Sequence, residues 1–180
     1  MPWLIPATDT PFGAIPYGPV LSMDYYRKDS SAARIYPGDL VILEADGNVA
    51  PAAAGSTEVI GVAAEGSAGS TADTEVLVYN HPDQLYVMQD DNDTTSMGET
   101  EIGTNCDIVA TAGDTPTDRA RFEIDSSTAV TTAAQLRIVA IHPMELMFGR
   151  TGFVTTAAAG NQRKWIVRIS EHSFAKIAGI

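Results

Sequence analysis

Four scarcities narrow what this chain can be. It has one cysteine, Cys106, in 180 residues, so no internal disulfide is available and the fold must rest on a hydrophobic core, which this length supports. A reducing compartment is the simpler expectation. Cations are few, 11 Lys and Arg against 23 Asp and Glu for a net charge of −12. Affinity for a phosphate backbone comes from basic side chains displacing counterions, so no nucleic acid partner is expected. No apolar run reaches the ~20 residues of a membrane-spanning helix, and no membrane partner is expected. The opening Met1-Pro2-Trp3-Leu4-Ile5-Pro6 lacks a basic residue and is broken again at Pro11, unlike a secretory signal.

Recognisable chemistry is scarce too. His81, His142 and His172 lie far apart in sequence with no ligand spacing between them, so ordinary hydrogen-bonded or surface histidines are expected rather than zinc. The loop Gly66-Ser67-Ala68-Gly69-Ser70 lacks the spacing of a nucleophile elbow. Cys106 precedes Asp107, an acidic neighbour that raises a thiol pKa, so a structural cysteine is expected. From Asp90 to Glu101, Asp90, Asn92, Thr94, Ser96, Gly98 and Glu101 mimic the alternation of a calcium loop. Thr95 stands where that loop needs glycine, and the flanks read as strand and loop, so a solvated acidic loop is expected. No catalytic residue, metal or cofactor is assigned, and the chain is not expected to be an enzyme.

What is abundant is proline at the start and short β-type runs afterwards. Six of ten prolines fall within the first 37 residues. Each fixes φ and removes a donor, which excludes a helix or a central strand there. Residues 1–35 therefore read as an extended arm whose apolar members, Trp3, Leu4, Ile5, Phe12, Ile15, Tyr17 and Leu21, are too numerous for a solvated linker and are expected to lie along a groove.

The body, residues 36–180, carries runs rich in Val, Ile, Tyr and Phe at 40–44, 58–63, 74–79, 84–89, 107–111, 120–124, 136–141 and 164–170, separated by Gly, Asp, Asn, Ser and Thr. Pro37-Gly38-Asp39 and Asp46-Gly47 are turn signals. Helix is expected only as about two turns over 128–135 and one over 173–178. The fold class that follows is all-β, a compact barrel or sandwich with the extended proline-rich arm in front, and a division into two lobes near residue 80 is one arrangement of it. Charge is uneven: residues 1–145 hold 22 acidic and 6 basic side chains, net −16, and residues 146–180 hold 1 and 5, net +4. That end reads either as chance clustering on a solvated face or as a basic contact surface on an otherwise acidic, self-repelling body.

Three stretches carry a family resemblance. They are Tyr36-Pro37-Gly38-Asp39-Leu40-Val41 with Asp46-Gly47-Asn48-Val49 and Ile60-Gly61-Val62-Ala63; Val78-Tyr79-Asn80-His81-Pro82-Asp83-Gln84-Leu85-Tyr86-Val87-Met88-Gln89; and Asp118-Arg119-Ala120-Arg121-Phe122-Glu123-Ile124-Asp125 followed by Leu136 to Ile141. In order and content they resemble the decoration, or cement, proteins that stabilise the heads of tailed bacteriophages. The resemblance implies a structural virion protein on the outer capsid surface, made in the host bacterial cytoplasm, whose partner is the major capsid protein. It supplies no catalytic residue.

Multivalent attachment to a symmetric shell further leads to a homo-oligomer, with a trimer favoured over a dimer. The contacts are expected from Trp3, Leu4, Ile5, Phe12, Ile15 and Tyr17 of the arm and from the basic Arg150, Arg163, Lys164, Arg168 and Lys176. The alternative is a carbohydrate-binding or adhesive β module that uses Tyr25, Tyr26, Tyr79 or Tyr86.

Overall fold

A computed structural model of the chain describes residues 10–67, 74–95, 97–130, 132–143 and 162–175. Its local logic is plainest in the hairpin of β3 (Leu40–Leu43) and β4 (Val49–Pro51), where Val41, Ile42 and Leu43 pair with Pro51, Ala50 and Val49. Gly47 turns the chain with φ +84°, a left-handed conformation that a side chain would strain. The Asp46 carboxylate accepts the N–H of Asn48 at 3.0 Å. One turn earlier, the Tyr36 N–H is donated to Asp39 Oδ2 at 2.8 Å and the Asp39 N–H to the Tyr36 carbonyl at 3.0 Å. That turn launches β3.

The first sheet continues from this hairpin. β5 (Val59–Ala63) pairs with β3 and with β6 (Glu75–Tyr79), and β6 pairs with β2 (Met23–Arg27), giving the order β2-β6-β5-β3-β4. Gly61 lies beside the β3–β5 register shift, and a Cβ there would overlap the Tyr79 carbonyl. Only glycine admits so close a backbone approach.

The second sheet has the order β1-β7-β12-β11-β8, from β1 (Ile15–Tyr17), β7 (Leu85–Gln89), β12 (Lys164–Ile169), β11 (Leu136–Ile141) and β8 (Asn105–Cys106). A two-stranded ribbon joins β9 (Ile108–Val109) to β10 (Glu123–Ile124). All three sheets are antiparallel, and no helix of seven or more residues occurs among the described residues. The chain is all-β, as its residue pattern predicts.

The main core lies between the two large sheets. Trp165, Val167 and Ile169 of β12, Tyr86 and Met88 of β7, and Leu136 and Ile138 of β11 meet Leu40, Val59 and Val62 of the first sheet, with Ile108 and Ile124 of the ribbon closing the side. Burying each large side chain contributes about 1.5–3 kcal/mol. Val41, Val49, Ile60, Ala63, Val76 and Val78 face the other way and form a second cluster with Ile35. This sheet is curled, because Lys28, just past β2, bridges to Val49 of β4. It is not a closed barrel, and the whole is sandwich-like.

Three details depart from expectation. Residues 128–135 are not two turns of helix: a 3-10 turn covers Ser126–Thr128, and Val130 then exchanges backbone bonds of 2.8 Å with Asn105 as an antiparallel bridge. The β-branched Val130 suits that extended pairing better than a helix. Of the expected strand at 107–111, only Ile108–Val109 are paired; Asp107, whose N–H is donated to Thr128 Oγ1 at 2.9 Å, separates them from β8. Of 120–124, only Glu123–Ile124 are paired as strand.

Candidate docking face

β1 and β2 are edge strands, one in each large sheet. Pro16, which has no N–H to donate, sits in β1, where an edge tolerates it. Two buried amides hold the connection between these strands. Gln84 donates to the Leu85 carbonyl at 2.9 Å and the Tyr17 carbonyl at 3.4 Å, and accepts the Leu21 N–H at 3.0 Å. Asn80 accepts the Ser22 hydroxyl at 2.7 Å and donates to Asp24 at 2.7 Å and Tyr26 at 2.9 Å. Gln84 is 1% exposed and Asn80 7%, so each amide orders the strip from beneath.

The strip presents apolar groups to water. Of the nine large apolar side chains exposed among the described residues, five are Ile15, Val20, Leu21, Met23 and Tyr25, the last 61% exposed. Scattered apolar residues are normal on a surface. Five fall within eleven residues, on and between strands that end their sheets among the described residues, a concentration of the kind found at interaction sites.

Cations gather on the adjoining outer face of the second sheet. Tyr17 pairs with Leu85, Leu85 with Arg168, Arg168 with Arg137, and Arg137 with Asn105, one row across all five strands. Alternation places Arg168, like Lys164, opposite the core-facing Trp165, Val167 and Ile169. Of the predicted contact residues, Ile15, Tyr17, Lys164 and Arg168 thus share one sheet.

Phe12 is half-buried, and Tyr17 meets the His142 ring edge-on at 5.8 Å. Arg163 is turned elsewhere: its Nη1 is donated to the Met97 carbonyl at 3.4 Å and its backbone N–H to Asp90. Trp3, Leu4, Ile5, Arg150 and Lys176 lie outside the described residues. Asn80, Gln84 and Arg137 escaped notice in the sequence. Arg137 was legible in principle, as the one charge in the alternating run Leu136 to Ile141.

The acidic loop after β7 is assembled differently from a calcium loop. Asp90 is buried and accepts the indole N–H of Trp165 at 3.2 Å. Burial pushes its carboxyl up to about 6 against the pull of these hydrogen bonds. Glu101 accepts the Gly98 N–H and the Thr100 hydroxyl, and the first of these holds its carboxyl below the usual range. Asp91 and Asp93 meet Asp125, brought from beyond β10, with carboxylate oxygens within 4.8 Å of one another. Ser126 Oγ lies 2.6 Å from Asp91 and 3.0 Å from Asp93. Burial, and then the charges of Asp93 and Asp125, raise the Asp91 carboxyl. These three are the described residues that could hold a hard cation.

Three further titratable groups are buried in the interior. Burial pushes the Cys106 thiol up to about 12 and the His172 imidazole down to about 4. Asp39 is 2% exposed, and burial pushes its carboxyl up to about 7. It lines a cavity of about 270 Å³ with Arg34, Tyr36 and Phe122. Of the four tyrosines considered for sugar contact, Tyr86 is buried with its hydroxyl donated to the Tyr79 carbonyl at 3.0 Å, and Tyr25 alone is exposed. No known protein family, curated protein or solved structure matches the chain.

Proposed function

We propose that this chain is a decoration protein of a tailed bacteriophage head, binding the outer capsid surface and holding neighbouring major capsid protein subunits together. The observation that carries the reading is the exposed apolar strip from Ile15 to Tyr25, which includes two strands that end their sheets among the described residues. Such a strip suits a partner that is itself a protein surface, by apolar burial and by strand addition at an edge. The sequence resemblance supports the choice of partner. The net charge of −12 supports an exterior position, because packaged nucleic acid repels an acidic body.

In this reading Ile15, Leu21, Met23 and Tyr25 dock on the capsid, Lys164 steers the approach, and the protein works as a homo-oligomer, with a trimer favoured. Particles that lack the protein provide the test. The wild-type chain should rebind them, and the pair Leu21→Ser and Tyr25→Ser should lower the affinity at least ~10-fold, in line with loss of a central apolar anchor, with the melting temperature unchanged. Equal occupancy by the wild type and this variant would remove the strip from the contact. Glycan binding by wild-type protein that fails to bind particles would favour the carbohydrate-binding reading, through Tyr25.

A further inference from the structure

At the turn that launches β3, the cavity of about 270 Å³ opens to the surface as a cleft. Ala33, Ala110 and Ala112 at its mouth are exposed, and Tyr36, Asp39, Ala52 and Phe122 at its floor are buried. The Tyr36 hydroxyl lies 2.9 Å from Thr115 Oγ1, and the Tyr36 ring packs so close to Gly113 that a Cβ there would overlap it. These contacts tie the segment that carries Ala110 and Ala112 to the turn that carries Asp39.

The turn accounts for only half of the Asp39 carboxyl. Its Oδ2 accepts the Tyr36 N–H at 2.8 Å, whereas its Oδ1 is buried and finds no hydrogen-bond partner among the described residues. A buried carboxylate with an unmatched oxygen is costly, and Asn or Ser would accept the turn N–H without the charge. The cleft itself supplies no cation to it. Arg34, the one basic residue in its lining, is paired with Asp118 at 2.8 Å and lies over the Tyr36 ring at 4.8 Å. Burial accordingly raises the Asp39 carboxyl to about 7, opposed by the Tyr36 N–H. One carboxylate is too few ligands for a hard metal ion, which leaves an organic cation as the complement.

We propose that this cleft binds a small primary amine, whose ammonium donates a hydrogen bond to Asp39 Oδ1 while its apolar body lies against Ala52 and Phe122. The ammonium supplies both things that Asp39 lacks, a donor and a positive charge, and a charge-assisted bond is about twice as strong as a neutral one. An apolar cavity of about 150 Å³ holds benzene, so the cleft of about 270 Å³ has room for an amine that carries one ring. The net charge of −12 raises the concentration of cations around the molecule. The cleft shares no residue with the strip from Ile15 to Tyr25, so the inference stands apart from the capsid reading.

Titration of the isotopically labelled full chain, followed by NMR at about pH 8 where Asp39 is mostly ionised, is the test. Benzylamine, charged at that pH, should bind saturably with a dissociation constant of about 1 mM or below, shifting the amides of Tyr36, Asp39, Ala52 and Gly113. Benzyl alcohol offers a donor without the charge, and benzyltrimethylammonium a charge without the donor. Each should bind at least ~10-fold more weakly. Asp39→Asn keeps an acceptor for the Tyr36 N–H and should lower the affinity for benzylamine at least ~10-fold. Ala112→Leu, which narrows the mouth at an exposed position and so leaves the fold intact, should do the same by obstruction. The absence of a saturable shift with benzylamine, shifts centred away from the cleft, equal binding by either analogue, or an unchanged affinity in both variants would each overturn the proposal.

Discussion

Trp165 is fully buried, its indole N–H is donated to Asp90, and Asp90 also takes the Arg163 N–H. Tyr25 leaves 61% of its surface in water, and no core contact explains Ile15, Leu21 or Met23. The two regions have similar apolar content and opposite settings. Around Trp165 the large side chains are enclosed and the polar groups beside them are hydrogen-bonded, the arrangement that stabilises a fold. From Ile15 to Tyr25 the order comes from two amides beneath, Asn80 and Gln84, and the apolar side chains are left facing outward. The interior wall holds the sandwich together, and the strip is held in place by the sandwich without being packed into it.

The sharpest way to break this comparison is at Trp165. Trp165→Ala should destabilise the protein by about 3–5 kcal/mol, from lost burial and the cavity that remains. Asp90 would also lose its indole donor. For a chain of this length that corresponds to a fall in melting temperature of roughly 10 °C, measured by thermal denaturation followed by circular dichroism. A fall of only one or two degrees would mean that the wall is not the stabilising element.

A smaller effect follows from the two buried carboxyls. Burial raises Asp39 to about 7 and Asp90 to about 6, so the folded state holds these protons more tightly than the unfolded chain does. The stability they contribute is therefore fully present below about pH 4 and is lost as the pH rises through 6 for Asp90 and 7 for Asp39. The Asp39 displacement corresponds to ~4 kcal/mol at most. Denaturant midpoints across this window should decline with rising pH. Asp39→Asn, which keeps an acceptor for the Tyr36 N–H, should flatten the upper part of the slope. A slope unchanged in that variant would place the coupling elsewhere.

Much of this architecture was legible because strands of this length announce themselves. The runs at Leu40–Leu43, Val59–Ala63, Leu85–Gln89, Leu136–Ile141 and Lys164–Ile169 are dense in β-branched and aromatic residues and end at turn formers. The pairing order was not legible. Nothing local in Ile15-Pro16-Tyr17 says that it will lie against Leu85 to Val87, because partners so far apart in sequence are chosen by the shared core. The same limit hid the charged groupings. Arg137 and Arg168 become neighbours only through the β11–β12 register, and Asp125 joins Asp91 and Asp93 only once β10 has folded beside β7. The amides of Asn80 and Gln84 were hidden differently, since within Asn80-His81-Pro82-Asp83-Gln84 they look like ordinary turn residues.

The smallest expected effect lies at Gln84, where the two regions join. Its amide is buried at the start of β7, and its bonds run outward to the Tyr17 carbonyl and the Leu21 N–H. Gln84→Ala leaves those backbone groups without their side-chain partner, at a cost of about 1–3 kcal/mol if they stay dry. Because they belong to an edge connection, water can reach them once the strip lifts, so the loss should appear as local opening more than as global unfolding. Hydrogen exchange reads the difference. In Gln84→Ala the amides of Tyr17, Gly18, Val20, Leu21 and Ser22 should exchange at least ~10-fold faster, while those of Tyr86, Val167 and Ile138 in the enclosed core should change little. Equal acceleration at both places would mean that strip and core open as one unit, and the separation between a stabilising wall and a presented strip would then be lost.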